Sequence, residues 1–229
     1  MKLLVIIFVI SLILLIIVST NCTKKHISHE SYVDKIKDIQ SQIPPNNDSY
    51  TRKHSNHTYR GKSNISTGAK IDMRKLDEIL SFDASKHIIE VEGNTKIEHI
   101  IKFLLKRGHN ILSCPDLKQL TISGLFVGIG GGNTSFSTSY FHNNVLEVDL
   151  LLPNGNIIVL TPRDKLFRGL PRSLGTLGYV TRVKLKTIEV YPYVHCVLEH
   201  YHDSKTFFTN VHKHMNRTDI NFLDANIYG

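Results

Sequence analysis

The sequence has little cysteine, no tryptophan and a single long apolar run. Its three cysteines, Cys22, Cys114 and Cys196, are too few for a disulfide-stabilised miniprotein and lack the close pairs of a zinc ribbon. Because only one segment is apolar enough to span a bilayer, a polytopic membrane protein is excluded. The 229 residues are 41% hydrophobic and 21% charged, which supplies a core and excludes wholesale disorder.

Positive charge exceeds negative charge, but it is not concentrated in one place. The formal net charge of +8 is spread along the chain, whereas nucleic-acid-binding proteins usually carry basic blocks or a basic face. We therefore expect no nucleic-acid partner.

The long apolar run lies at the N-terminus, from Leu3 to Val18, and Ser11 alone interrupts it. As a helix rising about 1.5 Å per residue, the run with its polar flanks approaches the ~30 Å of a hydrocarbon core. No Ala-x-Ala cleavage site follows it. We predict a single-pass membrane anchor over residues 1–20; a cleaved signal, and hence a secreted protein, is the alternative.

Six Asn-x-Ser/Thr sequons become available for glycosylation if the globular part is lumenal. Lys2 before the apolar run and Lys24 and Lys25 after it set the orientation only weakly. A chain rich in asparagine also generates such tripeptides by chance, and we favour that explanation. The sequons begin at Asn21, Asn47, Asn56, Asn64, Asn133 and Asn216.

Residues 21–49 are predicted as a linker. They contain one short polar helix, Tyr32 to Gln42, which Pro44 and Pro45 end. The globular part is expected to begin near residue 50.

Alternating helix and strand patterns follow. Residues 88–92 alternate like a strand, and apolar residues at helical spacing predict a buried helix over 97–105, ended by Gly108. Thr95 and Glu98 have the spacing of a capping box at its start. Apolar, β-branched runs at 145–152 and 156–160 flank a Pro-Asn-Gly turn, which predicts a hairpin.

A further alternating strand is predicted over residues 178–187. Since helices and strands are mixed and at least one strand pair is an antiparallel hairpin, the fold class is α+β.

Residues 191–229 have a different, histidine-rich character and resemble the start of another element. The histidine spacings do not place the side chains on one helix face, so we expect a solvated tail and no metal site. These residues are His195, His200, His202, His212 and His214.

Two familiar catalytic motifs are absent. Gly61-Lys62-Ser63 lacks the preceding strand and the second glycine of a P-loop. No Gly-x-Ser-x-Gly elbow exists, and Cys114 before a proline is better explained as a small buried residue than as a nucleophile.

The glycine-rich stretch 128–133 lacks the third glycine and the helix of a Rossmann fingerprint, since residues 134–139 favour turns. We predict a loop whose bare backbone approaches a flat or anionic ligand.

From residue 50 to about 193, the order of segments resembles the FAD-binding, PCMH-type domain of the FAD-linked oxidoreductases related to vanillyl-alcohol oxidase. The likeness is greatest to the branch of Diminuto-like Δ24-sterol reductases. The blocks that carry it are residues 52–60, 120–125, 128–136, 145–149, 152–155, 166–171 and 173–179.

The resemblance implies a domain of two small α/β subdomains over residues 50–190 and a set of FAD contacts. It places a phosphate loop at Lys53, Ser55 and Asn56. It places the ribityl and flavin side at Pro115, Thr121, Ser123, Gly124, Gly128, Gly130, Thr134 and Ser135, and a far wall at Gly175, Thr176, Gly178 and Tyr179. No residue matches the histidine that binds flavin covalently in some relatives, so FAD is expected to bind non-covalently. Ser139 stands where relatives usually have a glycine that permits positive φ.

The implied activity is flavin-dependent redox of a small or lipidic substrate by a membrane-anchored protein. Relatives continue into a substrate or cap domain of about 200 residues, and residues 191–229 are expected to be only its start. The alternatives are a truncated, non-catalytic flavin-binding remnant and one half of a split enzyme whose partner supplies the cap. The apolar surface that a cap would cover also predicts a homo-oligomer. Catalytic residues and substrate do not follow from the sequence.

Overall fold

A computed structural model describes residues 29–44, 49–52 and 69–228 of the chain. The predicted anchor at residues 1–20 and the predicted phosphate loop at Lys53, Ser55 and Asn56 lie outside the described residues. Among the residues that are described, no helix combines the length and the apolar character needed to cross a bilayer.

Antiparallel pairing dominates the described strands. They are β1 (Ser49–Arg52), β2 (Ala69–Asp72), β3 (Ile79–Asp83), β4 (Ile88–Glu92), β5 (His109–Ile111), β6 (Val145–Leu151), β7 (Ile157–Leu160) and β8 (Tyr179–Glu189). The main sheet has the order β3-β4-β8-β6-β7, and β5 pairs with the far end of β8; all of these pairs are antiparallel. Strands β1 and β2 form a separate parallel pair.

The described helices lie between and beside these strands. They are α1 (His29–Ser41), α2 (Ile97–Leu105), α3 (Ile122–Gly128), α4 (Ser135–Thr138), α5 (Lys165–Gly169) and α6 (Ser204–Met215), with a 3-10 turn at Phe141–Asn144. The α+β class is confirmed. The two-subdomain division and the boundaries at residues 50, 190 and 191 stay predictions.

The main sheet is covered on both faces. Consecutive residues of a strand point to opposite faces, and Leu150 belongs to a core with helices α2 and α3, whereas Leu151 belongs to a second core with helix α1. Ile79 and Leu80 divide in the same way. Strand β8, at the centre, is therefore buried on two sides.

Helix α1 is part of this packing, although its residues fall within the predicted linker. Tyr32, Ile36 and Ile39 are buried at a spacing that puts them on one helix face. The Lys35 ammonium reaches the fully buried Glu92 carboxylate at 2.9 Å. Only these three apolar residues are buried in an otherwise mostly polar helix, which is why the sequence predicted a linker.

A buried ion network lies between α1 and the sheet. The Arg182 guanidinium donates to Asp149 at 2.7 and 3.0 Å and to Glu90 at 3.0 Å. The Tyr32 hydroxyl donates to the same Asp149 carboxylate at 2.9 Å. Burial alone would lower the pKa of Arg182, but its bonds to the carboxylates outweigh burial and raise it. Arg182 is thus buried on the side of the sheet that α1 covers.

The start of helix α2 differs from the prediction. The helix occupies 97–105 as expected, and Gly108 follows it with a φ of +71°. The capping box is wrong, because the N-cap residue is Lys96 and the Thr95 hydroxyl donates to the Glu78 carbonyl instead. Glu98 pairs with Lys102 one turn on. Tertiary contact with the β3 segment outcompetes the local cap.

The predicted hairpin and the last strand are confirmed. Strands β6 and β7 pair in the register Leu151 to Ile157, and the turn contains Gly155 at φ +85°. Strand β8 begins at Tyr179, one residue after the predicted start.

Removing the charge of Asp149 tests the ion network. The variant Asp149→Asn should lower the free energy of unfolding by about 3 kcal/mol, because it leaves Arg182 buried without its main counter-charge. Urea unfolding followed by circular dichroism measures this. The matched control is Asp219→Asn, which breaks the exposed Arg217–Asp219 pair and should change little. Equal losses in the two variants would contradict the structure.

Candidate functional site

A small cavity lies where four separate segments meet. It is lined by Met73, Gly93, Asn94, Ser123, Tyr179 and Val180. These residues come from the end of β2, the end of β4, the first turn of α3 and the start of β8. The cavity volume of about 10 Å³ has room for one water molecule. The cavity is therefore too small to enclose a ring system.

Gly93 brings these segments together. A Cβ atom on Gly93 would lie 2.1 Å from the Val180 carbonyl oxygen, so no other residue fits here without moving β8. The Gly93 N–H donates to the Thr181 carbonyl at 2.7 Å, and its own carbonyl accepts from the Ser123 N–H at 3.0 Å. One glycine thus joins β4, β8 and α3.

Asn94 presents a buried amide that no described residue satisfies. Its side chain is 4% exposed, and neither Oδ1 nor Nδ2 has a hydrogen-bond partner among the described residues. Its backbone N–H is bound to the Leu76 carbonyl at 2.8 Å, which holds the residue in place. Leaving a buried polar group unpaired costs about 1–3 kcal/mol. An amide in this position can both donate to and accept from a ligand.

Two residues predicted from the sequence lie beside Asn94. Ser123 is buried and Tyr179 is half-buried, and both line the cavity. Burial raises the pKa of Tyr179, so its phenol is neutral at physiological pH. The described polar groups around the cavity are uncharged, which suits positioning of a ligand and offers no base.

Helix α3 connects the cavity to the glycine-rich stretch. Thr121 precedes the helix and its hydroxyl accepts from the Gly124 N–H at 3.3 Å, which caps the first turn. Ser123 lies near the start of α3 and Gly128 at its end, so the two are about 7.5 Å apart. Two of the predicted residues on this segment differ. The Thr121 hydroxyl is used by the helix cap, whereas no described atom lies next to the Cβ position of Gly128.

The glycines after α3 have different steric requirements. A Cβ on Gly128 would meet no described atom within 4 Å, whereas one on Gly130 would overlap the Leu125 side chain and one on Gly132 would lie 2.0 Å from the Cys114 carbonyl. Ile129, between them, is left-handed at φ +57°, a strained conformation for a β-branched residue. Gly130 and Gly132 are therefore needed by the fold, while the protein itself does not require a glycine at position 128.

Hydroxyl groups tie the loop to the chain around residue 113. The Thr134 hydroxyl donates to the Leu112 carbonyl at 2.8 Å, and the Ser135 hydroxyl accepts from the Gly132 N–H at 2.9 Å. Pro115 lies beside Gly132 on the same side. Residues 134–139, predicted as a turn, contain the one-turn helix α4, because these bonds satisfy its polar groups. Thr134 and Ser135 thus serve the loop's own structure.

Ser139 has a φ of +67°, in the region that favours glycine. That relatives carry glycine at this position stays a prediction. A serine in this conformation stores strain at the end of the loop.

The third predicted group forms a turn next to the end of α3. Gly175 and Gly178 have φ values of +89° and +136°, which other residues rarely adopt. The Leu174 N–H donates to the Val127 carbonyl at 3.3 Å, so this turn lies against the glycine-rich stretch. The Thr176 hydroxyl donates to the Ser173 carbonyl within the turn.

Gly93 and Asn94 were missed by the sequence reasoning. The dipeptide was interpreted only as a turn after β4, and a Gly-Asn pair alone does not distinguish a turn from a close approach. Burial, aided by Asp116, raises the pKa of the Cys114 thiol to about 11, so the thiol is protonated at physiological pH.

Comparison with known proteins agrees with this arrangement. The profile of the FAD binding domain matches residues 34–161, more than half of the chain. The chain is similar to Delta(24)-sterol reductase of Mus musculus, at 26% identity over 158 residues, which is 68% of this chain and 31% of the relative.

More distant enzymes also match. Decaprenylphosphoryl-beta-D-ribose oxidase of Mycolicibacterium smegmatis is 29% identical over 128 residues, 55% of this chain and 27% of that protein. Cytokinin dehydrogenase 2 of Arabidopsis thaliana is 24% identical over 131 residues, 56% of this chain and 26% of that protein. The chain spans less than a third of the length of each of these relatives.

The profile begins inside helix α1, which accords with the packing of that helix onto the sheet. It ends just after β7, so it includes the cavity-lining Gly93, Asn94 and Ser123 as well as the glycine-rich stretch. The resemblance drawn from the sequence blocks is thereby confirmed: the chain belongs to the family of PCMH-type FAD-binding domains.

Proposed function

We propose that the protein binds FAD non-covalently along helix α3 and acts as a flavin-dependent oxidoreductase. The observation that carries the proposal is the Asn94 amide, which has no partner in the described part of the chain and is held beside Ser123 and Tyr179 in a chain of the FAD-binding family. A fold keeps a buried amide unsatisfied at a cost, and a ligand that pairs with it repays that cost.

The residues fit the group in two respects. A flavin carries carbonyl acceptors next to an N–H donor, and a carboxamide such as Asn94 offers a donor and an acceptor together. The bare backbone at Gly128, whose Cβ would meet no described atom within 4 Å, lets a flat ring approach closely. Lys53, Ser55 and Asn56 are proposed phosphate contacts on the resemblance alone.

Bound FAD supplies the redox chemistry, by accepting or giving up hydride. The described residues of the cavity would position the cofactor and exclude water from it. Asn94 and Ser123 offer hydrogen bonds, and Tyr179 stays a neutral donor. We name no general acid or base, because the cavity contains no carboxylate or histidine among its lining residues.

The substrate class is proposed from the relatives. The names of two relatives, a sterol reductase and a decaprenylphosphoryl-ribose oxidase, both refer to a lipid. In addition, residues 3–18 form an apolar run suited to a membrane anchor. We therefore propose a lipidic substrate and a membrane location, with a secreted protein as the alternative.

A second candidate is a flavin-binding protein that depends on a partner for turnover. The segment after β8 leaves large apolar side chains exposed, among them Tyr191, Tyr193, Val194 and Leu198, each at 71–88%. Surface of this kind usually lies against another protein or a second copy. Such a protein would hold flavin yet turn nothing over until the partner is added.

Flavin content tests the function directly. The purified full chain, reconstituted with FAD and desalted, should retain about one flavin per chain and show the visible absorption of oxidised flavin. Denaturation in acid should release that flavin into the supernatant, because no covalent bond holds it. A folded, colourless protein would refute FAD binding, and colour left in the precipitate would refute non-covalent attachment.

Asn94→Leu should separate binding from stability. Without FAD, the free energy of unfolding should rise by about 1 kcal/mol, because the variant removes an unsatisfied buried amide and keeps its volume. The dissociation constant for FAD should rise about tenfold, as expected for one lost hydrogen-bonding group. Urea unfolding and fluorescence titration with FAD measure the two effects.

The matched control is Asn144→Leu, another buried asparagine. Its Nδ2 already donates to the Thr138 carbonyl at 3.0 Å, so this variant should lose stability. Loss of stability in both variants would show that the Asn94 amide has a protein partner and would remove the basis of the proposal.

Two glycine variants test where the backbone meets the cofactor. Gly132→Ala should destabilise the FAD-free protein by about 1–3 kcal/mol, because its Cβ collides with the Cys114 carbonyl. Gly128→Ala should leave that stability unchanged but weaken FAD binding, since only a ligand would meet its Cβ. Thermal unfolding and FAD titration distinguish the two; unaltered FAD affinity in Gly128→Ala would remove Gly128 from the site.

A further inference from the structure

We propose that the protein has a second site, which binds a zinc-class divalent cation between His87, His109 and Glu189. One ligand atom from each of these residues lies within 4.8 Å of the other two. The site is built from the β3–β4 turn, β5 and the end of β8, three segments that the sequence keeps far apart. It does not depend on the proposed flavin function.

The two histidines already have the separation that a metal requires. Their facing nitrogens, His87 Nδ1 and His109 Nε2, are 3.3 Å apart. Two nitrogens bound tetrahedrally at about 2.0–2.1 Å from zinc would be about 3.3 Å from each other. Glu189 is exposed at the end of β8, so rotation of its side chain can bring a carboxylate oxygen to the same ion.

The tautomer of His109 suits a metal ligand. His109 is buried, and its Nδ1 lies 2.9 Å from the Arg107 carbonyl oxygen. A carbonyl only accepts, so Nδ1 carries the proton and the lone pair of Nε2 points toward His87. Metal-ligating histidines usually donate their other ring N–H in this way.

The backbone holds all three ligands in register. His109 pairs with Glu189 across β5 and β8, and the His87 carbonyl accepts from the Thr187 N–H at 2.8 Å. His87 itself is left-handed at φ +53°, an uncommon conformation that aims its ring at the sheet edge. The Phe82 ring packs edge-on against the His109 ring, with centroids 5.1 Å apart, and limits its rotation.

The site is remote from the flavin cavity. Tyr179 and Glu189 are the two ends of β8, a separation of about 30 Å for a strand of that length. His87 likewise precedes β4, while Gly93 and Asn94 follow it. An ion here would clamp the edge where β5 joins the sheet and would not reach the cofactor.

Two imidazoles and one carboxylate select the class of ion. Imidazole nitrogen favours zinc and its neighbours among the transition metals, whereas calcium and magnesium require mostly oxygen ligands. Three protein ligands leave the fourth position for water.

Zinc titration of the chelator-treated full chain tests the proposal. Isothermal titration should show one zinc per chain, and zinc should raise the thermal unfolding midpoint. His87→Asn and Glu189→Gln should each weaken zinc binding about tenfold or more. Asparagine is chosen because it tolerates left-handed backbone, and the exposed Glu189 can be changed without disturbing the core. Flavin content should be unaltered in both variants.

The control variant is His202→Asn, an exposed histidine of the tail. It should bind zinc like the natural chain. If zinc binding is equal in the natural chain and in His87→Asn, or falls only in His202→Asn, the three residues form no metal site and the two imidazoles simply hydrogen-bond to each other. Cobalt(II) gives a second readout, since a four-coordinate site yields intense visible bands that both ligand variants should lose.

Discussion

Gly93 lies so close to strand β8 that the carbonyl of Val180 occupies the place of a side chain. Its N–H is bound to β8 and its carbonyl to the first turn of α3, so the end of β4, the start of β8 and helix α3 are held as one unit. The Asn94 amide, the Ser123 hydroxyl and the Tyr179 ring converge because of this contact. The candidate site thus depends on a residue that has no side chain.

The same sheet carries the two proposed sites at its two ends. At the start of β8, close backbone packing holds the buried Asn94 amide beside Ser123 and Tyr179. At the end of β8, two imidazoles and a carboxylate converge. Between them, the Arg182 network and helix α1 stabilise the middle of the strand, so that both ends keep their positions. Burial of charge is tolerated there because each carboxylate has a partner.

Local patterns predicted those elements whose stability is local. Helix α2 follows an apolar period of 3.6 residues, and the β6–β7 hairpin follows a turn sequence, so both were found within a residue or two. The family also followed from the sequence, because its blocks depend on glycines and short polar residues in a given order. Local reasoning failed at Thr95, whose hydroxyl binds the Glu78 carbonyl from another segment. It found helix α1 but placed it in a linker, because the buried face of this helix is narrow and is completed only by contact with the sheet.

Composition, periodicity and turn chemistry by themselves determined the α+β class and the positions of the main helix and hairpin, while the order of the motif blocks identified the flavin-binding family by resemblance. Only the tertiary structure decided that Asn94 is buried with no partner among the described residues, that Thr134 and Ser135 use their hydroxyls to fix their own loop, and that His87 meets His109. The physical reason is that burial and hydrogen-bond satisfaction depend on which distant segments come together. That information lies in strand order and register, which no short window of the chain contains.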